Sequence, residues 1–438
     1  MSLAPRRALP TTGGSVSTPP FHLIAAHFAA AMAWMLMGAG MLVWLAPSLA
    51  AGAVFEPHVF ALVHVFMLGV VSTAIFGTLH QFVPGGLGVP LRSLRLAYWS
   101  FALMQLGTVC LVAGFFVWRG ALQGLGWLFV FAGIDAVSRN VLRARRLSVH
   151  GKTVGLFVSV AHSALGAGLF VAAARLGETL GWWHVDRMYL IATHLLLGLV
   201  GFGTLSVVGV GSRMLPTFLN GGGDDARWLR LQLTATVAGL TVFSVGAIGS
   251  ITALRTLGSI TLLFAGTATV ALGIRWFRRR TRTLDAPLWH VLSAFLALAS
   301  SLPIAVALLF GNGFAFNRWV AFVAVLALGW LTTLIVGVAA KILPHMSYMK
   351  LAPMMPGFRA LGSPNRLLND SWQYGGAALL TLGWSGVGAG ALLGDARLLF
   401  AAALIWSGGV TLTAMNYAQM YVRGRWPARN PEAIPAAG

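Results

Sequence analysis

Long apolar runs of helical length dominate this chain and limit what it can fold into. They lie at roughly 22–49, 56–84, 92–117, 121–142, 150–177, 186–217, 228–252, 254–277, 287–311, 317–346, 371–394 and 396–422. Each is long enough to cross a hydrocarbon core of about 30 Å as an α-helix. Backbone polar groups find no partner in lipid, so only helices or closed barrels can span it. A barrel needs short alternating segments, whereas these runs are continuous and rich in Leu, Ala, Val and Gly. Mean hydropathy is +0.80 and only 9% of the 438 residues are charged. The sequence therefore predicts an all-α membrane protein with 12 transmembrane helices. Residues 1–21 form a cytoplasmic tail, 22–425 a single membrane domain, and 426–438 a second cytoplasmic tail. The first run is too long for a signal-peptide core, and no cleavage is expected after "APSLA".

Basic residues set the orientation. With the N-terminus inside, six of the 30 Lys and Arg fall outside: Arg119, Arg175, Arg187, Arg255, Arg318 and Arg397. The other 24, counted as 30 less 6, fall in the tails and inner loops, which predicts an N-in, C-in topology. The net charge of +20 is spread over those loops, so it reads as topology and contact with anionic lipid rather than nucleic-acid binding. One cysteine, Cys110, excludes disulfides and thiolate clusters. No phosphate loop, dinucleotide fingerprint or Cys-x-x-Cys-His motif is present, which sets aside nucleotides and covalent haem. Tryptophans near the run boundaries, among them Trp44, Trp118, Trp182, Trp183, Trp228, Trp276, Trp289, Trp319 and Trp426, read as an interfacial aromatic belt.

The chain repeats itself. "GVVSTAIFGTLHQFVP" from Gly69, "GFGTLSVVGVGSRMLP" from Gly201 and "GWLTTLIVGVAAKILP" from Gly329 share the frame Gly-x7-Gly-x6-Pro, at offsets of 132 and 128 residues. A period near 130 residues holds four helices, so the frame marks helices two, six and ten of three four-helix units, about 22–145, 150–280 and 286–422. The glycines would let backbones approach closely, and each proline would end or kink its helix. Three residues before each proline stands Gln81, Arg213 or Lys341. These read as anchors reaching the headgroups, or as part of a proton or anion path.

Twelve helices in three four-helix units is the plan of subunit I of the haem–copper oxidases, and the chain resembles that superfamily in architecture throughout and in residues on its second, sixth and tenth helices. Its second helix offers His64, then "GVVSTAIFG", then "VPGGLGVPLRSLRLAYW", similar in order to the family's haem-ligating helix and its loop. "SRMLPTF" at Ser212–Phe218 is similar to an element of NnrS-type haem membrane proteins. The resemblance implies a b-type haem, a bacterial-type inner membrane, an electron-donor or respiratory partner subunit, and a role in respiratory electron transfer or nitric oxide metabolism. His64 stands about one helical turn nearer its proline than the family histidine. The seventh helix has no histidine, and the tenth has none before His345. No copper centre of the family kind is therefore expected, and oxygen reduction by the family mechanism is not supported.

The eleven histidines sort by depth. His64 and His194 precede Pro84 and Pro216 by twenty and twenty-two residues, so they sit at similar depth in adjoining units. They form the leading candidate pair for axial haem ligation, with His58 as a further candidate. The plainer alternative is that each bonds a carbonyl or hydroxyl across a helix interface. His27, His80, His162 and His290 fall in the inner half, where they could line a second haem or metal site or simply pack at helix ends. His150 lies in a basic inner loop. Asp135 and Arg139, spaced i, i+4, read as a structural ion pair. A secondary transporter of a small anion or metabolite, its vestibule lined by Gln81, Arg213 and Lys341, is the alternative from another class. Parallel threefold repeats are unusual for transporters.

Overall fold

The computed structural model describes residues 19–142, 152–182, 186–223, 225–311, 315–351 and 363–429. Every regular element among them is helical, and twelve helices are long and apolar enough to cross a membrane. They are α1 Phe21–Trp44, α2 Pro57–Leu87, α3 Leu94–Phe116, α4 Gly120–Val141, α5 Lys152–Glu178, α6 Arg187–Phe218, α7 Ala226–Ile248, α8 Thr252–Arg278, α9 Ala286–Phe310, α10 Phe316–Lys350, α11 Asp370–Leu393 and α12 Ala396–Met420. The expected runs and the observed helices coincide to within a few residues, except that α1 stops at Trp44 and a separate short helix, Ala46–Ala50, follows it.

Helices α2, α6 and α10 form the centre and are the most deeply buried of the twelve. Around them the others close a ring: α4 packs on α5, α8 on α9, and α12 returns to α1. The pairs α3–α4, α7–α8 and α11–α12 are antiparallel hairpins. Glycines seven residues apart seat each of them: Gly107 and Gly114 against Val130 and Gln123, Gly239 and Gly246 against Leu262 and Arg255, Gly383 and Gly390 against Trp406 and Leu399. Large apolar side chains such as Phe170, Leu128, Leu257, Phe310 and Leu393 cover the outside of the ring, as a lipid-facing surface requires.

The glycine frame has a physical reason. A Cβ at Gly69 would lie 2.5 Å from Trp34, and one at Gly77 2.6 Å from the Cβ of His27. At Gly201 it would meet Ala164 at 2.7 Å, and at Gly209 Phe157 at 2.5 Å. At Gly329 it would meet Ala297 at 2.6 Å, and at Gly337 the Pro287 carbonyl at 2.7 Å and His290 at 2.8 Å. Each central helix is thus pressed onto the preceding helix, where the opposed residues are again seven apart: 27 and 34, 157 and 164, 290 and 297.

Each central helix is also broken by a π-helical segment: Val65–Ser72 in α2, Leu197–Thr204 in α6 and Val325–Thr332 in α10. The first frame glycine is the fifth residue of each segment. A π turn bonds i to i−5, and hydroxyls at the segment ends reinforce it. Ser72 donates to Met67 O at 2.7 Å, Thr73 to Leu68 O at 3.0 Å, Thr204 to Leu199 O at 3.0 Å and Thr333 to Leu328 O at 2.9 Å, all five residues back. Cross-helix bonds tie the segments in. Trp330 Nε1 donates to Thr204 Oγ1 at 3.0 Å, and Trp34 Nε1 donates to Gln105, whose Nε2 donates to Thr73. The three π segments touch one another.

Of the two outcomes expected at Pro84, Pro216 and Pro344, ending the helix does not occur: the helices run on to Leu87, Phe218 and at least Lys350. A proline this close to a helix end forfeits one i→i−4 bond without stopping the remaining turn. Trp276 is not an interfacial anchor: it is buried, and its Nε1 donates to Asp225 at 2.9 Å. Trp183 and the Trp426 side chain lie outside the described residues. Asp135 and Arg139 do form the expected ion pair, at 2.7 Å and largely exposed.

Asp225, 7% exposed at its side chain, also accepts from Arg275 at 3.1 Å and Arg279 at 3.0 Å. At the matching ends of the other hairpins an asparagine clips the chain instead. Asn140 bonds Ser93 N and O, and Asn416 bonds Asn369 N and O.

Two contrasts test this packing by thermal unfolding in detergent. Gly77→Val is expected to cost about 1–3 kcal/mol by overpacking. Gly166→Ala, where nothing lies within 4 Å of the added methyl, should gain about 0.5–1 kcal/mol. Asp225→Ala, which strands two guanidinium groups, should cost about 2–3 kcal/mol. Asp135→Ala should stay within about 0.5 kcal/mol of the parent.

Candidate functional site

At the end of the bundle remote from Phe21 the central helices part around a cavity of about 310 Å³. All three π segments contribute to its wall through Phe66, Met67, Leu68, Gly198, Leu199, Phe202, Ala327 and Leu328, and helices α3, α4 and α5 complete it. The lining is overwhelmingly apolar. Its polar members include His64, His194, Gln123, Ser72 and Arg175. Arg175 is held by Glu178, which also pairs with Arg187.

His64 is the last α-helical residue before the first π segment, and His194 lies three residues before the second. Their rings face each other with centroids 6.1 Å apart and planes inclined by 27°. His64 Nδ1 lies 2.8 Å from Phe60 O, and His194 Nδ1 lies 2.9 Å from Gly168 O. A carbonyl oxygen only accepts, so each Nδ1 carries the hydrogen and each Nε2 keeps its lone pair. Fixing one ring nitrogen by a backbone carbonyl is how metal-binding histidines are commonly oriented. The plainer alternative holds for His194, which is bonded to a carbonyl across a helix interface, and not for His64, whose carbonyl partner lies one turn back on its own helix; each ring keeps an Nε2 lone pair. Phe115 packs on His64 with centroids 4.9 Å apart.

His58 is placed elsewhere. It lies between Trp44 and Phe116, with centroids at 5.0 and 4.9 Å, and its Nδ1 is 3.4 Å from Glu56. It is not among the residues that line the cavity.

At the end of the bundle nearer Phe21, His27 and His80 are neighbours with centroids 5.4 Å apart, and His80 lies within electrostatic reach of both His27 and His162. His290, on α9, packs against Gly337 of α10 and near Gly376 of α11. Among the described residues no three His, Cys, Asp or Glu side chains converge tightly enough to ligate one ion. His22 is exposed and bonds Tyr98, and His345 is exposed on α10. His150 and His184 lie outside the described residues.

Lys341 is paired with Asp285, which Arg282 also approaches at 3.5 Å. Arg213 is exposed, and Gln81 is half-buried with Oε1 unpartnered. The sequence offered no sign of the Lys341–Asp285 pair, whose members are 56 residues apart. Nor did it show that Arg175 lines the cavity, because its short outer loop read as a plain outside position. No protein-family model matches the chain, and no curated protein matches it significantly.

A cavity with this apolar lining is expected to take up small apolar probes. Ala324, one residue before the third π segment as His64 is before the first, lines the same space. Ala324→Phe should fill it and abolish binding of xenon, read from the chemical shift of dissolved xenon-129, while the parent protein shifts it in a saturable way.

Proposed function

We propose that this chain is a haem-binding, multi-pass membrane protein related to subunit I of the haem–copper oxidases. It lies nearer the NnrS-like members than the true oxidases and acts in respiratory electron transfer or nitric oxide metabolism. The observation that carries the reading is the His64–His194 pair. Two imidazoles this close, each fixed through Nδ1 by a carbonyl, would be able to hold one iron through their Nε2 atoms. The pair stands at 6.1 Å, with tautomers fixed to present Nε2 and an apolar wall around it. Donor set and polarity fit a low-spin, b-type haem.

Haem there would supply one-electron chemistry. His64 and His194 would hold it, the leucine and phenylalanine lining would exclude water, and Arg175 at the cavity wall carries the positive charge suited to a carboxylate group. The recurrent glycine contacts, the three π segments and the closed ring support reading the chain as three pseudo-repeated four-helix units. The basic residues support an N-in, C-in topology in a bacterial-type inner membrane, with an electron-donor subunit as partner.

One observation favours the second reading, a secondary transporter. Each central helix is interrupted within its span beside a ligand-sized hollow, as in many transporters. Haem content separates the two. Purified protein expressed with haem supplied should show a reduced-minus-oxidised difference spectrum with a sharp α band and one haem per chain by pyridine haemochrome. His64→Ala and His194→Ala should each lose it. A colourless parent protein would sink the haem reading and leave the transporter.

A further inference from the structure

The end of the bundle nearer Phe21 carries a ladder of arginines on the α7–α8 hairpin, and what it can hold is independent of the haem reading. Arg227 and Arg230 stand one turn apart on the same side of α7, and Arg278 ends α8. The register of the hairpin fixes their relative depth. Gly246 faces Arg255 and Gly239 faces Leu262, so by the same pairing Arg227 comes level with Ile274. Arg278 therefore stands a turn nearer the end of the bundle than Arg227, and Arg230 a turn deeper. All three are exposed, and none of their guanidinium groups has a partner among the described residues.

The carboxylates nearest in sequence among the described residues are already engaged. Asp225 accepts from Arg275 and Arg279 on one oxygen and from Trp276 on the other, and Asp285 is held by Lys341 and Arg282. The matching ends of the other two hairpins are built differently: an asparagine closes each, and Arg139 has its own carboxylate in Asp135. Beside and beneath the ladder the surface is apolar. Leu231 and Ile274 are 42% and 53% exposed, and Phe264, further along α8, is 50% exposed. Such a wall faces acyl chains. Between the two zones lies Trp228, with the Arg275 guanidinium 5.2 Å from its ring centroid, an aromatic ring at the level where headgroups meet chains.

We propose that this hairpin binds one anionic phospholipid, its phosphodiester held by Arg227 and Arg230 with Arg278 above them, and its chains lying along Leu231 and Ile274. Guanidinium groups match phosphate oxygens in pairs, and each arginine at a membrane surface adds attraction for a net negative headgroup. A zwitterionic headgroup brings a cation with its phosphate, and the surrounding arginines repel it. A soluble polyanion approaches from the water and does not reach Arg230, which sits beside Leu231 on the wall of the bundle. A phospholipid meets both zones at once.

The test uses the full-length protein, delipidated in detergent and titrated with phosphatidylglycerol or phosphatidylcholine, with bound lipid counted by native mass spectrometry. The expected result is one firmly retained phosphatidylglycerol per chain and no retained phosphatidylcholine. Arg227→Gln combined with Arg230→Gln should weaken retention roughly 10–30-fold. Arg92→Gln combined with Arg95→Gln, which removes the same charge from exposed positions at the start of α3, should leave it unchanged. Equal loss in the two double variants would be an effect of bulk charge and overturns the site, as does equal retention of the two lipids. Inorganic phosphate that displaces the lipid at comparable concentration assigns the arginines to a free anion and overturns the lipid. If the double variants do not fold, fluorescence of the parent protein decides. Brominated phosphatidylglycerol should quench Trp228, read as the difference from Trp228→Phe, more strongly than brominated phosphatidylcholine does, and equal quenching overturns the proposal.

Discussion

Close backbone approach at the frame glycines holds this bundle together. Lipid tails are as apolar as leucine side chains, so helices in a membrane gain little from hydrophobic burial against each other. They associate where backbones can come near enough for dispersion and cross-helix hydrogen bonds to accumulate. Gly69, Gly201 and Gly329, with Gly77, Gly209 and Gly337 two turns on, supply that proximity between each central helix and the one before it. The cavity and both histidine groups sit where they do because these contacts set the depth and rotation of α2, α6 and α10.

Much of this was legible in the residues. Twelve spans followed from hydropathy because length and polarity decide whether a segment can cross a bilayer. The glycine frame was visible because packing contacts repeat when helices repeat. The π segments were not visible. Val65–Ser72, Leu197–Thr204 and Val325–Thr332 carry the same leucine, valine and glycine as any α-helical span. The bonds that mark them run from hydroxyls to carbonyls five residues back, a spacing with no residue-level signal of its own. Trp276 and Lys341 were misread or half-read for a related reason. Their partners, Asp225 and Asp285, lie 51 and 56 residues away, and a boundary tryptophan or lysine looks the same whether it meets headgroups or a carboxylate.

The histidines show how far depth alone can carry an argument. Counting back from the prolines placed His64 and His194 at one level, and their rings do face each other. Sorting by depth grouped four other histidines, of which His27 and His80 are neighbours with His162 within electrostatic reach of His80, while His290 packs apart from them against Gly337. Depth says nothing about azimuth. Which way a ring points depends on how each helix is rotated, and the glycine contacts decide that.

The closed ring also constrains how the bundle is born. The face of α1 that α12 covers includes Ala39, whose carbonyl accepts from Ser407 Oγ at 3.2 Å. Those two residues are separated by 368 positions, nearly the whole chain. Helices emerging in order from the ribosome would place α1 in the bilayer first and α12 last. Until α12 is made, the seat that it takes on α1 stays uncovered by the helices between them. The ring therefore closes through a contact between its most distant members in sequence, and α1 is enclosed only after ten further spans have been made.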